Sequence, residues 1–214
     1  IGATHCGIST GGDGASHQCN EDIAVARSLP NMTILVPGDY EEARLATIAA
    51  ARWNGPVYLR FGRDTYPVVP AVHGSFIIGK AKYLRPGSDI TLISTGIMVH
   101  EALQAADLLS EKGISARVLH LPTIKPIDAA AVVQAAEETA GIITCEEHSV
   151  IGGLGEAVAG IVCGSQPCRV VRIGVMDKFG ESGMAQELLD KYGLRAADIV
   201  AAARKMMKEN GSIS

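Results

Sequence analysis

Four residues of this chain combine types and spacing that could do chemistry together: His5, Asp13, His17 and Arg63. A guanidinium and imidazoles suit a phosphate group, while a carboxylate accepts hydrogen bonds from hydroxyls. Asp13 and His17 lie in the stretch Gly11-Gly12-Asp13-Gly14-Ala15-Ser16-His17-Gln18. Its glycines let the backbone pass close to a ligand while polar side chains are presented to it. Taken singly, each residue has a plainer reading: Arg63 as a surface ion pair, His5 as a satisfied core histidine. Together they describe a small-molecule site.

The elements around them alternate strand and helix, which predicts an α/β chain with largely parallel sheets. In the first part, Asn20-Glu21-Asp22 leads into a helix through Arg27, with acids in its first turn as the helix dipole favours. Met32 to Val36 reads as a buried strand, Tyr40 to Trp53 as a helix, and Val57 to Phe61 as the next strand. His5 and Arg63 each end a predicted strand. Two strand ends of one parallel sheet share an edge, so all four residues can converge on one crevice. Residues 66–74, rich in Pro and Val without periodicity, read as a linker.

The second part restarts with the strand Asp89–Thr95, and Gly96 turns it into a helix with Val99, Ala102, Leu103, Ala106 and Leu109 on one face. Strands are predicted at 116–121, 141–146 and 168–174, separated by helices near 128–139 and 154–162, with closing helices near 184–192 and 196–208. This is a complete doubly wound domain. The first part has too few strands for a stable sheet of its own, and the chain is expected to be a fragment or a truncated subunit.

Several other motifs carry less. Gly12-Asp13-Gly14 matches the diphosphate- and Mg2+-binding GDG of thiamine enzymes, but the downstream Asn pair that completes such a metal site is missing. Gly152-Gly153-Leu154-Gly155 before a helix resembles a phosphate cradle, yet it is neither GxGxxG nor a P-loop. A tight strand-to-helix turn is the favoured reading. Glu146-Glu147-His148 could do acid–base work at a strand end, but without a matching partner it reads as a polar network between domains.

The bulk numbers agree with a globular protein. The chain has 214 residues, 47% hydrophobic and 20% charged, with a net charge of −4 spread along its length. No basic block interleaved with aromatics suggests nucleic acid, and no apolar run suggests a membrane span. The five cysteines are odd in number and irregularly spaced, which favours reduced thiols in the cytoplasm. The start carries neither a basic n-region nor an apolar h-region, so no signal peptide is expected.

At these residues the sequence resembles the transketolase family. His5 with the segment Gly11 to Gln18 is similar to that family's His…GEDGPTHQ, and Leu29-Pro30-Asn31-Met32, Val36-Pro37-Gly38-Asp39, Gly55-Pro56 and Phe61-Gly62-Arg63 follow at similar spacing. Thr95-Gly96, Lys125-Pro126-Ile127-Asp128, Glu146-Glu147-His148, Gly152-Gly153-Leu154-Gly155 and the run from Asp177 to Gly183 resemble the family's C-terminal domain. Gly12, Ala15 and Ser16 depart from the usual Glu, Pro and Thr. The chain is most similar to the C-terminal subunit of a two-chain transketolase, with residues 1–70 as part of a pyrimidine-binding-type domain and 76–214 as the C-terminal-type domain.

The resemblance implies a two-carbon ketol transfer between sugar phosphates, with thiamine diphosphate and Mg2+ as cofactors, most of whose binding residues lie elsewhere. It implies that His5 and Arg63 bind the sugar phosphate, that Asp13 bonds a substrate hydroxyl, and that His17 assists proton transfer beside the reacting carbons. An N-terminal subunit carrying the diphosphate-binding domain is the implied partner, in a homo-oligomer or dimer, and the chain alone is expected to be inactive. Deoxyxylulose-phosphate synthase, the β subunit of a 2-oxo-acid dehydrogenase and a non-catalytic dimerisation module are the alternatives.

Overall fold

Two fully buried runs, Thr33–Leu35 and Ile90–Ser94, seed two sheets. The structure is a computed structural model and describes residues 1–211. In the first sheet, β1 (Gly2–Ala3), β2 (Thr33–Leu35) and β3 (Val57–Arg60) run parallel in the order β1-β3-β2. α1 (Asp22–Ser28) precedes β2, and α2 (Tyr40–Arg52) joins β2 to β3. Asp39 caps α2 by accepting the Glu42 amide at 2.9 Å.

The second sheet has the order β4-β6-β5-β8-β9, built from β4 (Lys82–Arg85), β5 (Ile90–Ser94), β6 (Ala116–His120), β8 (Ile142–Ser149) and β9 (Val170–Val175). All neighbours are parallel except the edge strand β4. Helices α3 (Met98–Ser110), α4 (Ala129–Glu138), α5 (Leu154–Gly164), α6 (Ala185–Lys191) and α7 (Ala196–Glu209) cover it. This is the expected α/β architecture.

The shortfall of strands in the first part is met from the second. β7 (Thr123–Lys125) leaves the second unit and pairs antiparallel with β2 as the fourth strand of the first sheet. Neither β4 nor β7 was foreseen from periodicity. Both are antiparallel edge strands of three or four residues whose pairing comes from tertiary contact. Ile23, Ile34 and Val36 of the first part pack in one cluster with Ile93, Leu119, Leu121 and Ile142 of the second, so the two units share a core.

The stretch 66–74 is tied down more firmly than a plain linker. Pro70–Val72 forms a 3-10 turn, and Val69 and Val72 are buried against Val99. Asp39 also accepts from the Val69 amide at 2.9 Å and contacts His73 Nε2 at 2.8 Å. Apolar packing and one carboxylate therefore fix the connection. Among the described residues, no helix is long and apolar enough to cross a membrane.

Candidate functional site

β1 and β3 are neighbours in register, with Gly2 opposite Leu59 and Ala3 opposite Arg60. Their carboxyl ends therefore deliver His5 and Arg63 to the same edge of the sheet, and the Cys6 amide continues the pairing to Phe61 O at 3.1 Å. The glycine-rich stretch begins as a 3-10 segment, Ile8–Asp13, broken at Gly11 where φ is 78°. That break turns Asp13 back over Arg63.

Arg63 Nη1 donates to Asp13 Oδ2 at 2.7 Å and to Thr10 O at 3.0 Å. Thr10 Oγ1 donates to His5 O at 2.6 Å, and His5 Nδ1 lies 3.0 Å from Thr4 Oγ1. His5 has a φ of 62°, a left-handed conformation that a non-glycine residue adopts at a cost. His5, Asp13 and Arg63 are thus gathered around Thr10. Among the described residues His17 shares no hydrogen bond with them: its side-chain partner is Ser16 Oγ, 3.0 Å from Nδ1, and no bond engages Nε2. All four expected site residues are exposed, and the Arg63 and Asp13 side chains are 40% and 42% accessible. A cleft of about 300 Å3 beside the loop is walled by Ala15, Gln18, Asn20 and Phe179 among others; none of the four lines it.

Beneath this exposed set lies a buried polar layer. Arg60 Nε donates to Asp22 Oδ2 at 2.8 Å and Tyr58 OH donates to the same oxygen at 2.9 Å. Burial by itself would raise the Asp22 carboxyl, but the Arg60 guanidinium and the Tyr58 hydroxyl outweigh it and hold it below the usual carboxylate range. The Glu146-Glu147-His148 triplet lies in the same layer and behaves as a network between the units. Glu146 accepts the Leu154 and Gly155 amides at 2.6 and 2.8 Å. Burial pushes its carboxyl up to about 7 against those bonds. His148 Nδ1 donates to Ser149 O at 2.7 Å, and Nε2 accepts from the Ile23 amide at 3.1 Å. Burial, helped by Arg60, brings its imidazole down to about 4, so it stays neutral near pH 7. Cys6, desolvated by burial, is pushed up to about 12 and is no nucleophile.

Several supporting residues escape a reading by local spacing. Arg60 sits inside a strand, where its partner Asp22 lies 38 residues away. Glu147 and Gln18 likewise act across the chain, on Ser9 and on Glu181 O respectively. Glu147 belongs to the triplet singled out from sequence, whose partner in the first part could not be named there; a charged residue within a strand is the one signal that could have flagged Arg60.

Among the described residues, neither of the two motifs that could take a diphosphate or a divalent metal fits it. Among the described residues, no group of three or more His, Cys, Asp or Glu side chains could hold a metal ion. The amides at the start of α5, where the Gly-rich turn could have cradled a phosphate, are already taken by the Glu146 carboxylate. Asp13 of Gly12-Asp13-Gly14 is engaged by Arg63.

Comparison with known proteins agrees with the fold. The transketolase pyrimidine-binding domain matches residues 1–69, and the transketolase C-terminal domain matches residues 79–199. A putative transketolase C-terminal section of Methanocaldococcus jannaschii is 43% identical over 98% of this chain and 65% of its own length. A 6-deoxy-6-sulfo-D-fructose transketolase subunit of Clostridium sp. (strain MSTE9) is 41% identical over 94% of this chain and 62% of its own. A solved split-gene transketolase, described as an inactive beta4 tetramer, superposes with a TM-score of 0.90 at 46% identity, covering 97% of this chain and 66% of that one. The chain therefore spans about two thirds of the length of these relatives. Family membership implies thiamine diphosphate as the cofactor. This chain belongs to the transketolase family and corresponds to the part of it found in C-terminal sections of split transketolases.

Proposed function

We propose that this chain is the substrate-side part of a transketolase, passing a two-carbon ketol unit between sugar phosphates once assembled with an N-terminal subunit. The observation that carries the reading is the Asp13–Arg63 pair beside His5. One guanidinium nitrogen is fixed by Asp13 and Thr10 O, and the side chain is 40% accessible, which leaves the other N–H groups of Arg63 for a ligand. They form, with the His5 imidazole, an anchor for the terminal phosphate of a sugar. The second oxygen of Asp13 accepts a sugar hydroxyl. His17, with Nδ1 occupied by Ser16, offers Nε2 to a substrate oxygen for proton transfer. The role of the protein is orientation and charge placement.

Thiamine diphosphate would supply the carbanion chemistry. Its diphosphate and Mg2+ are assigned to the partner, since the residues of this chain do not fit them. Residues 1–70 then form one wall of the site and 76–214 the C-terminal domain. The exposed face bearing the four residues supports a site closed by another chain, in a cytoplasmic homo-oligomer of such pairs. Isolated, the chain is inactive. A sulfonated sugar presents the same kind of anionic end, which is the chemistry named for the Clostridium relative.

The test is Arg63→Ala in the assembled enzyme. Loss of charge-assisted bonds worth about 1.5–3 kcal/mol raises KM for phosphorylated sugars roughly ten- to hundredfold, with little change for dephosphorylated ones. Equal losses on both would contradict a phosphate anchor. Consumption of pyruvate in place of ketose phosphate would favour a deoxyxylulose-phosphate synthase or a 2-oxo-acid dehydrogenase, and no turnover with any partner a dimerisation module.

A further inference from the structure

Glu147 lies on β8 in the second unit, yet its side chain ends beneath the glycine loop of the first. Its residue is 3% exposed, and Oε1 accepts the Ser9 amide at 2.5 Å, a contact spanning 138 residues of sequence. The loop is shaped to receive it. Gly7 has a φ of 89°, and a Cβ there would lie 2.4 Å from the Glu147 carboxyl carbon. Among the described residues no side-chain cation is bonded to this carboxylate; Arg60 Nη2 donates instead to the Glu147 backbone oxygen at 3.1 Å. Burial raises this carboxyl, against the nearby Arg60 charge and the hydrogen bonds from Ser9, so its compensation comes chiefly from the loop residue it holds and from a guanidinium that is bonded elsewhere.

The amide it holds is one residue from the centre of the site. Thr10, next in sequence, supplies the carbonyl that binds Arg63 Nη1 at 3.0 Å and the hydroxyl that binds His5 O at 2.6 Å. Ser9 Oγ contacts Tyr66 OH, which steadies the same turn from the side of residues 66–74. The far end of the loop is fastened separately. Gln18 Nε2 donates to Ile8 O at 3.0 Å, Gly11 O at 3.3 Å and Glu181 O at 2.9 Å. A backbone with glycines at 7, 11, 12 and 14 has much freedom to lose.

We infer that Glu147 is a positioning residue for substrate binding: through the Ser9 amide, the C-terminal unit sets the separation of His5 and Arg63 and hence the grip on the anionic end of the sugar. The inference rests on the phosphate-anchor reading of Arg63. It gives the C-terminal unit, which places no side chain among the four exposed site residues, a definite part in specificity.

The experiment uses the enzyme assembled with its N-terminal partner and thiamine diphosphate, with a ketose phosphate and the same ketose dephosphorylated as donors. E147Q keeps an acceptor for the Ser9 amide, whereas E147L removes it at similar volume. E147M removes it with an unbranched side chain and replaces E147L should that variant not fold. The expected result is a KM for the phosphorylated donor raised about tenfold in E147L, with kcat and the dephosphorylated donor changed less than about threefold, and recovery in E147Q to within about threefold of the parent. Equal loss on both donors, loss confined to kcat, or E147Q as impaired as E147L would overturn it. If Arg63→Ala discriminates between the donors and E147L does not, this inference alone fails. If Arg63→Ala does not discriminate, the anchor reading and the inference fall together.

Discussion

Arg63 and Asp13 make the same kind of ion pair as Arg60 and Asp22, and the difference in burial gives them opposite uses. The exposed pair is worth at most about 1 kcal/mol to the fold, so in the proposed site its value is directional: it aims a guanidinium. Asp13→Asn should leave the melting temperature within about 2 °C of the parent. It should lower kcat/KM for sugar phosphates roughly tenfold or more in the assembled enzyme. Arg60 and Asp22 have side-chain exposures of 6% and 4%, and removing one partner strands the other charge inside. Asp22→Asn should therefore destabilise by about 3–5 kcal/mol, read from urea unfolding of the chain. At this scale the sequence was legible where strand ends could be paired in the mind, as for His5 and Arg63. It was silent on the Thr10 carbonyl and hydroxyl that tie Arg63 to His5, and on the Ser16 hydroxyl that takes His17 Nδ1, because both depend on how the loop turns.

Elements were easiest to read where burial leaves a continuous apolar run or a periodic face. β5 and α3 lie where such patterns put them: Ile90–Ser94 is buried throughout, and Val99, Ala102, Ala106 and Leu109 of α3 are buried, with Leu103 only partly buried beside them. β4 and β7 gave no such signal, because Lys82–Arg85 and Thr123–Lys125 become strands only when β6 and β2 are beside them. The loop itself is an element held from both sides. Gln18 packs so closely on Gly180 that a Cβ added there would sit 1.7 Å from Gln18 Oε1. Gly180→Ala should thus displace the Gln18 amide from its three carbonyls and cost about 1–3 kcal/mol in urea unfolding. An unchanged stability would show that the segment from Asp177 to Gly183 is not a platform for the loop.

Across the whole molecule the two units are joined by a shared apolar core and by a buried charge cluster. Glu42 of α2 accepts from His120 Nε2 of β6 at 2.8 Å and from the Gly38 amide at 2.7 Å, and pairs with Lys82 of β4 at 2.7 Å. Burial alone would raise the Glu42 carboxyl, but His120, Lys82 and the Gly38 amide outweigh it and bring it to about 2. A carboxyl lowered in the folded state contributes stability that is complete above its unfolded value, near 4.3, and lost as pH falls through the folded one. The contribution is on the order of 3 kcal/mol. The parent should therefore exceed Glu42→Gln by about this margin near pH 7, with the gap closing between about pH 4 and pH 2; a gap independent of pH would contradict the assignment.

For the whole assembly we propose that this chain carries the sugar-binding wall of a transketolase and gains activity only with a partner that holds the cofactor. The most direct measurement is the rate of two-carbon transfer from a ketose phosphate to an aldose phosphate. It is taken for the chain alone and for the chain mixed with an N-terminal transketolase subunit, each with thiamine diphosphate and Mg2+. The account predicts no transfer from the chain alone and transfer from the mixture, with KM for the phosphorylated donor raised in Arg63→Ala. Transfer by the isolated chain, or a mixture indifferent to Arg63, would contradict it.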